Sequence, residues 1–337
     1  MMLNVQIVLF DGFDLLDAIA PYEVFCAAEL MTENALNVEL VTAEGPRDVP
    51  SGTNGLKLEA SGKLNPERAG IILVPGASGP VAGDSPHSVP AILARTAETE
   101  LTGMLKQALA REDVVVATVC GGSLLLAMGG LMEGRPAVTN HLGMEVLGAT
   151  GAIPVPARVV DDGNLVSGGG VTSGLDVALY LLERELGPRI AHEVERLFEF
   201  ERRGTVWREA GISPKAWTKD EPQPQLTESK PTVMDVDAFA FDGDWDTTIA
   251  TPVGKLQVRL AIITYNGIVH GKAVQGNETV DFLDPVLQGG KLTWQLRVTK
   301  PMRLNLKFEV TVDGDVMTGT AKAGMLPASK LTGKRIL

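Results

Sequence analysis

The chain has 337 residues, 45% of them hydrophobic and 21% charged, with a formal charge of −12. That length exceeds one ordinary hydrophobic core and fits two domains, while the acidic balance excludes a nucleic-acid backbone as main partner, since phosphate binding needs clustered Lys and Arg. Two cysteines, Cys26 and Cys120, exclude a disulfide framework or a cysteine metal cluster.

The first apolar run, Val5–Phe10, reads as a β-strand. No basic n-region precedes it, so it is not expected to be a signal peptide. No apolar stretch is long enough to span a bilayer, and the expectation is a cytoplasmic protein with reduced thiols. Helical spacing follows over Leu15–Leu30, then a strand at Val38–Thr42. A Gly/Pro-rich excursion from Glu44 to Lys63 has room for a small hairpin. Gly70–Val74 is a third strand, ending in Pro75-Gly76-Ala77-Ser78-Gly79. The spacing predicts one helix over Ile92–Leu109, a strand at Val114–Val119 and a helix at Ser123–Leu131. Short strands are expected at Ala137–Asn140, Arg158–Asp161 and Leu165–Ser167, then helices at Gly174–Leu186 and Arg189–Phe200. Repeated βα units of this kind build an open, mostly parallel α/β sheet with helices on both faces. Such sheets bind ligands beyond the carboxyl ends of their strands, so the loops after Phe10, Val74, Val119 and Ser167 should form one site.

Character changes near residue 213. Residues 213–238, rich in Pro, Gln, Glu, Lys and Thr, read as a linker between a first domain (1–212) and a second (239–337). The second domain has period-two runs at Trp245–Ala250, Lys255–Thr264, Gly267–Val274, Lys291–Val298, Leu304–Val312 and Val316–Ala321. Turn signals such as Tyr265-Asn266-Gly267, Gln288-Gly289-Gly290 and Asp313-Gly314-Asp315 separate them. The pattern predicts a small antiparallel barrel or sandwich of about eight strands. This region carries 12 Lys and Arg against 9 Asp and Glu, so the acidic excess lies entirely in the first two-thirds.

The sharpest chemical signal is Val116-Ala-Thr-Val-Cys120-Gly-Gly-Ser-Leu-Leu-Leu-Ala127. An apolar strand stops at a cysteine, two glycines follow and a helix starts, the layout of a nucleophile elbow. A free cysteine is commonly a buried packing residue, but one at a helix N-terminus is expected to favour its thiolate. Asp17 is the second candidate. Asp11 and Asp14 can cap the helix that follows the first strand. Asp17 lies among Leu16, Ala18 and Ile19, where desolvation raises a carboxyl pKa and suits it to proton donation. His141 ends a predicted strand and gains weight only if the fold brings it to the elbow. His87, His192 and His270 show no partner pattern, no metal spacing appears, and no Gly-rich loop carries the Lys of a phosphate site. Asn277-Glu278-Thr279 matches a glycosylation sequon by chance.

In their order along the chain, several segments resemble the ThiJ/PfpI superfamily, relatives of the class I glutamine amidotransferases. They are Val5-Gln-Ile-Val-Leu-Phe-Asp-Gly, Leu16-Asp17-Ala-Ile-Ala-Pro-Tyr-Glu23, Val74-Pro-Gly76 and Val119-Cys120-Gly-Gly-Ser123. Two longer ones join them: Gly130-Leu-Met-Glu-Gly134-Arg-Pro-Ala-Val-Thr139-Asn-His141, and the stretch from Val159 through Gly168-Gly-Gly-Val171 to Asp176. Within the superfamily the first domain is most similar to the isocyanide (isonitrile) hydratases. The resemblance implies a flavodoxin-like fold, a homodimer, a nucleophile at Cys120 and a conjugate acid at Asp17. It also points to His141 near the cysteine and to an oxyanion and substrate corner formed at Gly76, Ala77, Gly121 and Val171. Peptidase branches carry Glu at the first acid position and His after the cysteine, whereas this chain has Asp17 and Gly121. The hydratases have Thr where Gly121 stands. Residues 239–337 look like lipocalin-like β modules appended to bacterial enzymes.

The function expected from these residues is cofactor-free hydration of a small apolar isocyanide to a formamide, with neither nucleic acid nor membrane as partner. A glyoxalase-like thiol enzyme and a non-catalytic ligand or redox sensor are the alternatives, the latter because an acidic thiol can be oxidised. The β module is a candidate gatekeeper, dimerisation element or independent binder of apolar ligands.

Overall fold

The computed structural model of the chain describes residues 2–33, 35–81, 85–213, 238–251, 254–265, 268–275, 278–298, 304–323 and 328–336. Nearly all of the expected linker, 214–237, therefore lies outside the described residues, as do Asn266 and Gly267 of one turn signal and Asn277 of the sequon.

The first part is built from Leu3–Val8 (β1), Leu15–Met31 (α1), Leu36–Thr42 (β2), Arg47–Pro50 (β3), Lys57–Ala60 (β4) and Gly62–Lys63 (β5). Next come Gly70–Val74 (β6), Val89–Ala97 (α2), Glu100–Leu109 (α3), Val114–Val119 (β7) and Gly122–Met128 (α4). Pro136–Ala137 (β8), Met144–Ala149 (α5), Ile153–Pro154 (β9), Val159–Asp162 (β10), Leu165–Gly168 (β11), Ser173–Leu186 (α6) and Pro188–Phe198 (α7) complete it. Seven strands form one sheet in the order β10-β11-β7-β6-β1-β2-β5. All its pairings are parallel except β10 with β11. The central strands are apolar on both faces, as a sheet covered by two helix layers requires: Ile71, Ile72, Leu73, Val74, Val116, Ala117 and Val119 are all buried. From β1 the chain steps outward to β2 and β5, then returns to the other side of β1 as β6 and continues to β7. That reversal opens a crevice at the carboxyl ends of β1 and β6, where α/β sheets hold their ligands.

Local differences from the sequence reading have physical causes. The single helix expected over Ile92–Leu109 is two, because the Thr99 hydroxyl accepts the Leu101 N–H and starts α3 anew. The excursion after Glu44 does contain an antiparallel hairpin, β3 with β4. The strand expected at Ala137–Asn140 closes at Ala137, and a 3-10 turn at His141–Gly143 leads into α5.

The second part follows a 3-10 turn at Ala238–Phe241. Its strands are Gly243–Thr251 (β12), Gly254–Tyr265 (β13), Ile268–Gln275 (β14), Glu278–Asp281 (β15), Leu283–Gln288 (β16), Lys291–Val298 (β17), Leu304–Asp313 (β18), Val316–Ala323 (β19) and Ser329–Arg335 (β20). They form a nine-stranded antiparallel sheet, ordered β15-β14-β13-β12-β20-β19-β18-β17-β16. Its two edge strands, β15 and β16, follow one another directly through Phe282, whose N–H donates to the Gly271 carbonyl of β14, so the sheet is a nearly closed barrel. Alternate residues point inward. Trp294 stacks between Phe282 and Phe308 inside, with ring centroids 4.4 and 4.8 Å apart. Among the described residues no helix is long and apolar enough to cross a membrane.

Candidate active site

Cys120 follows β7 directly, in the turn, with a φ of 53°. A non-glycine residue rarely adopts that left-handed geometry, and its cost is tolerated where the surroundings hold it. Three contacts do so. The Cys120 N–H donates to the Gly168 carbonyl at 3.0 Å, the Thr139 hydroxyl donates to the Cys120 carbonyl at 2.7 Å, and the Ser123 hydroxyl, at the start of α4, donates to the Val138 carbonyl at 2.7 Å. The turn also needs glycine at Gly122, where a β-carbon would sit 2.2 Å from the Val74 carbonyl oxygen.

Asp17 reaches the same point from α1. Asp14 caps that helix, accepting from the Leu16 and Asp17 N–H groups at 3.0 and 3.2 Å. Asp11 instead pairs with Arg47 at 2.6 Å. Asp17 is fully buried in the first turn. One of its oxygens, Oδ2, accepts the Gly76 N–H at 2.9 Å; the other, Oδ1, is buried with no partner among the described residues. Gly76 is squeezed between this carboxyl and the elbow: a β-carbon there would lie 2.6 Å from the Gly121 nitrogen and 2.8 Å from Asp17 Oδ2. An unpartnered carboxylate oxygen in such a place is costly, and a protonated one is not. Burial pushes the Asp17 pKa up to about 8, helped by the charge of Asp14, while the Gly76 N–H and the Cys120 side chain oppose the rise. At neutral pH Asp17 is a neutral acid holding its proton beside the sulfur.

The same burial reverses one expectation. Cys120 does not favour its thiolate. Desolvation, then the Asp17 charge, pushes the thiol up to about 12, and the Asn140 side chain and the Gly121 N–H only partly offset them. A short helix start does not outweigh removal from water.

Cys120 lines a cavity of about 330 Å³ together with Asp14, Ala77, Gly121, Asn140 and Val171. The loops after β1, β6, β7 and β11 thus meet in one place. Leu93, Leu124, Met128 and Val146 make its wall apolar, and residues of the barrel complete it. Gly76 does not offer its N–H to a ligand, because Asp17 occupies it. His141 is exposed and does not line the cavity. The 3-10 turn that begins at His141 directs the side chain before it inward: the Asn140 amide donates to Cys120 Sγ at 3.5 Å. Asn140 is therefore a site residue that sequence reasoning passed over in favour of its neighbour. A larger, polar groove lined by Asp176, Tyr180, His192 and Arg202 lies elsewhere and holds none of these groups.

Comparison with known proteins gives a consistent picture. The DJ-1/PfpI family matches over residues 4–184. An isonitrile hydratase of Pseudomonas putida is 30% identical over 201 residues, 59% of this chain and 79% of that protein. Protein DJ-1 homolog A of Arabidopsis thaliana is 32% identical over 97 residues, 29% of this chain and 25% of that one. Two solved structures share the fold: a THiJ/PfpI family protein from Pseudomonas syringae (TM-score 0.50, 22% identity, 60% of this chain and 77% of that one) and Drosophila melanogaster DJ-1beta (TM-score 0.50, 18% identity, 60% and 100%). All these matches leave over a third of the chain uncovered.

Proposed function

Because the chain belongs to the DJ-1/PfpI family, we propose that it hydrates an isocyanide, R–N≡C, to an N-substituted formamide, with Cys120 as nucleophile and Asp17 as acid and base. The observation that carries this reading is the buried Asp17 carboxyl, whose Oδ1 has no hydrogen-bond partner among the described residues, behind the Cys120 thiol that lines an apolar cavity. A neutral acid and a neutral thiol are what an uncharged, apolar substrate can approach without paying to desolvate an ion.

The terminal carbon of an isocyanide takes up a proton and then a nucleophile. Asp17 gives its proton to that carbon as the Cys120 sulfur bonds to it, and the carboxyl group recovers the thiol proton. The product is a thioimidate, Cys–S–CH=N–R. Water then adds to the same carbon, one of its protons passing to nitrogen through Asp17. Collapse of the adduct forms the C=O bond and breaks the C–S bond, and the departing sulfur regains a proton. The sum is R–NC plus water giving R–NH–CHO. Covalent catalysis divides one difficult addition into two. Asn140 and the Gly121 N–H face the sulfur and stabilise the negative charge it carries in transit, and the Ala77 and Val171 N–H groups are assigned to the tetrahedral species. The homodimer implied by the family resemblance and the cytoplasmic location expected from the sequence belong to this same reading.

Incubation with cyclohexyl isocyanide, followed by proton NMR, is expected to show N-cyclohexylformamide accumulating over many turnovers. Absence of that product with a panel of alkyl and aryl isocyanides overturns the assignment.

A further inference from the structure

The cavity at Cys120 does not end within the α/β domain. Five of its lining residues, Ile249, Leu306, Ala321, Ala323 and Ser329, come from β12, β18, β19 and β20. They belong to the set of positions that face the barrel interior. Along β19, exposed Thr320 and Lys322 alternate with buried Ala321 and Ala323, and Ile249 and Leu306 are equally buried. They lie toward one end of the antiparallel strands: Leu306 near the start of β18, Ser329 at the start of β20, Ala321 and Ala323 at the end of β19 and Ile249 near the end of β12, with Leu306 paired to Ala323 and Ala321 to Ser329. The cavity therefore opens from the thiol into one mouth of the barrel.

That mouth is shaped by small side chains, while larger ones fill the levels beyond. Phe308, the next inward residue after Leu306, stacks on Trp294. Farther along, Phe241 and Trp245 are buried, and Arg335 lies over the Trp245 ring at 4.2 Å. The barrel is open toward Cys120 and filled at its other end. At its open end it is held against the first domain by α5, whose Ala149 joins the barrel's apolar core, and by the Arg297–Glu133 ion pair at 3.0 Å. The segment Asn140–Ala149 thus serves both the sulfur and the docking.

We propose that the barrel mouth is the substituent-binding half of the Cys120 site, so that the substrate is an electrophile carrying an extended apolar tail. This rests on the thiol chemistry proposed above for its reactive end. The reacting carbon sits at Cys120, and the tail runs past Ala321, Ala323 and Ser329 toward Leu306. At ~30 Å³ per water-sized group, the cavity holds roughly ten such groups, more than the reacting end alone requires.

The test uses the full chain and needs no turnover. Alkylation of Cys120 by N-methyl- and N-hexylmaleimide is followed by peptide mapping, which separates Cys120 from Cys26. With each buried methylene contributing about fourfold in affinity, the wild type should react at least tenfold faster with the hexyl reagent at subsaturating concentration. Ala323→Phe, and independently Ser329→Leu should the first fail to fold, are expected to bring the two rates within about threefold. Lys322→Ala, on the outward face of the same strand, should keep the preference. Equal rates for both reagents in the wild type, or an undiminished preference in a folded mouth variant, overturn the proposal. Lack of formamide from any isocyanide alongside an intact hexyl preference would instead defeat the hydratase reading and leave the tail site standing.

Discussion

Cys120→Ala should reduce formamide production from cyclohexyl isocyanide by at least about 1000-fold, the scale on which removal of a covalent nucleophile acts. The loss should fall on kcat, because the apolar wall that binds the substituent is untouched. The variant should also fold. Alanine loses only the sulfur, and the contacts that hold the turn, from Gly168, Thr139 and Ser123, run through backbone atoms or through other side chains. A melting temperature within a few degrees of wild type accompanies the expected result. A folded Cys120→Ala protein that retains a tenth of the activity would show that water adds to the isocyanide directly.

Asp17→Asn should lower kcat by about 10²- to 10⁴-fold, the usual range for a positioned acid and base. The amide has nearly the carboxyl's shape and keeps an oxygen for the Gly76 N–H, so the loss reports the proton. The wild-type pH profile should agree with it. The acid form persists below about pH 8, so activity is held below that point and falls as pH rises through it. Stability provides an independent reading with a definite sign. The folded chain keeps a proton on Asp17 up to about pH 8, whereas an unfolded aspartate releases it near ~4. Between those values the native state binds more protons than the unfolded one, so stability declines as pH rises, by up to ~1.4 kcal/mol per pH unit for one proton. Asp17→Asn abolishes that contribution. Urea unfolding should show the variant gaining on wild type from pH 5 to pH 8. A difference that stays constant over this range would mean that Asp17 is ionised throughout and cannot be the donor.

The sequence made some of this legible and concealed the rest for identifiable reasons. Strands β6 and β7 were readable to the residue because they are short, continuous apolar runs bounded by turn signals. The elbow was readable because its chemistry is local: a strand, a cysteine, two glycines and a helix. Strands β15 and β16 were not, since their alternation is carried by half-buried residues and Pro285 interrupts the second. Strand β20 was not legible either, though Leu331 is one of the most buried residues in the barrel. Asn140 was hidden behind His141 because a 3-10 turn, and not the expected strand, decides which side chain meets the sulfur. The protonation of Cys120 was misjudged for a deeper reason. Proximity to a helix start can be seen in sequence, but desolvation by Leu93, Leu124 and a barrel mouth more than a hundred residues away cannot.

The proposed reaction forms a sulfur–carbon bond between Cys120 and the whole substrate. Rapid acid quenching of the wild type during turnover of cyclohexyl isocyanide, followed by intact-mass and peptide analysis, tests this most directly. The predicted result is a fraction of chains heavier by one complete isocyanide, with the added mass on Cys120 and no atoms lost. Formamide accumulating at full rate while Cys120 stays unmodified at every quench time, and while Cys120→Ala works as fast as wild type, would contradict it.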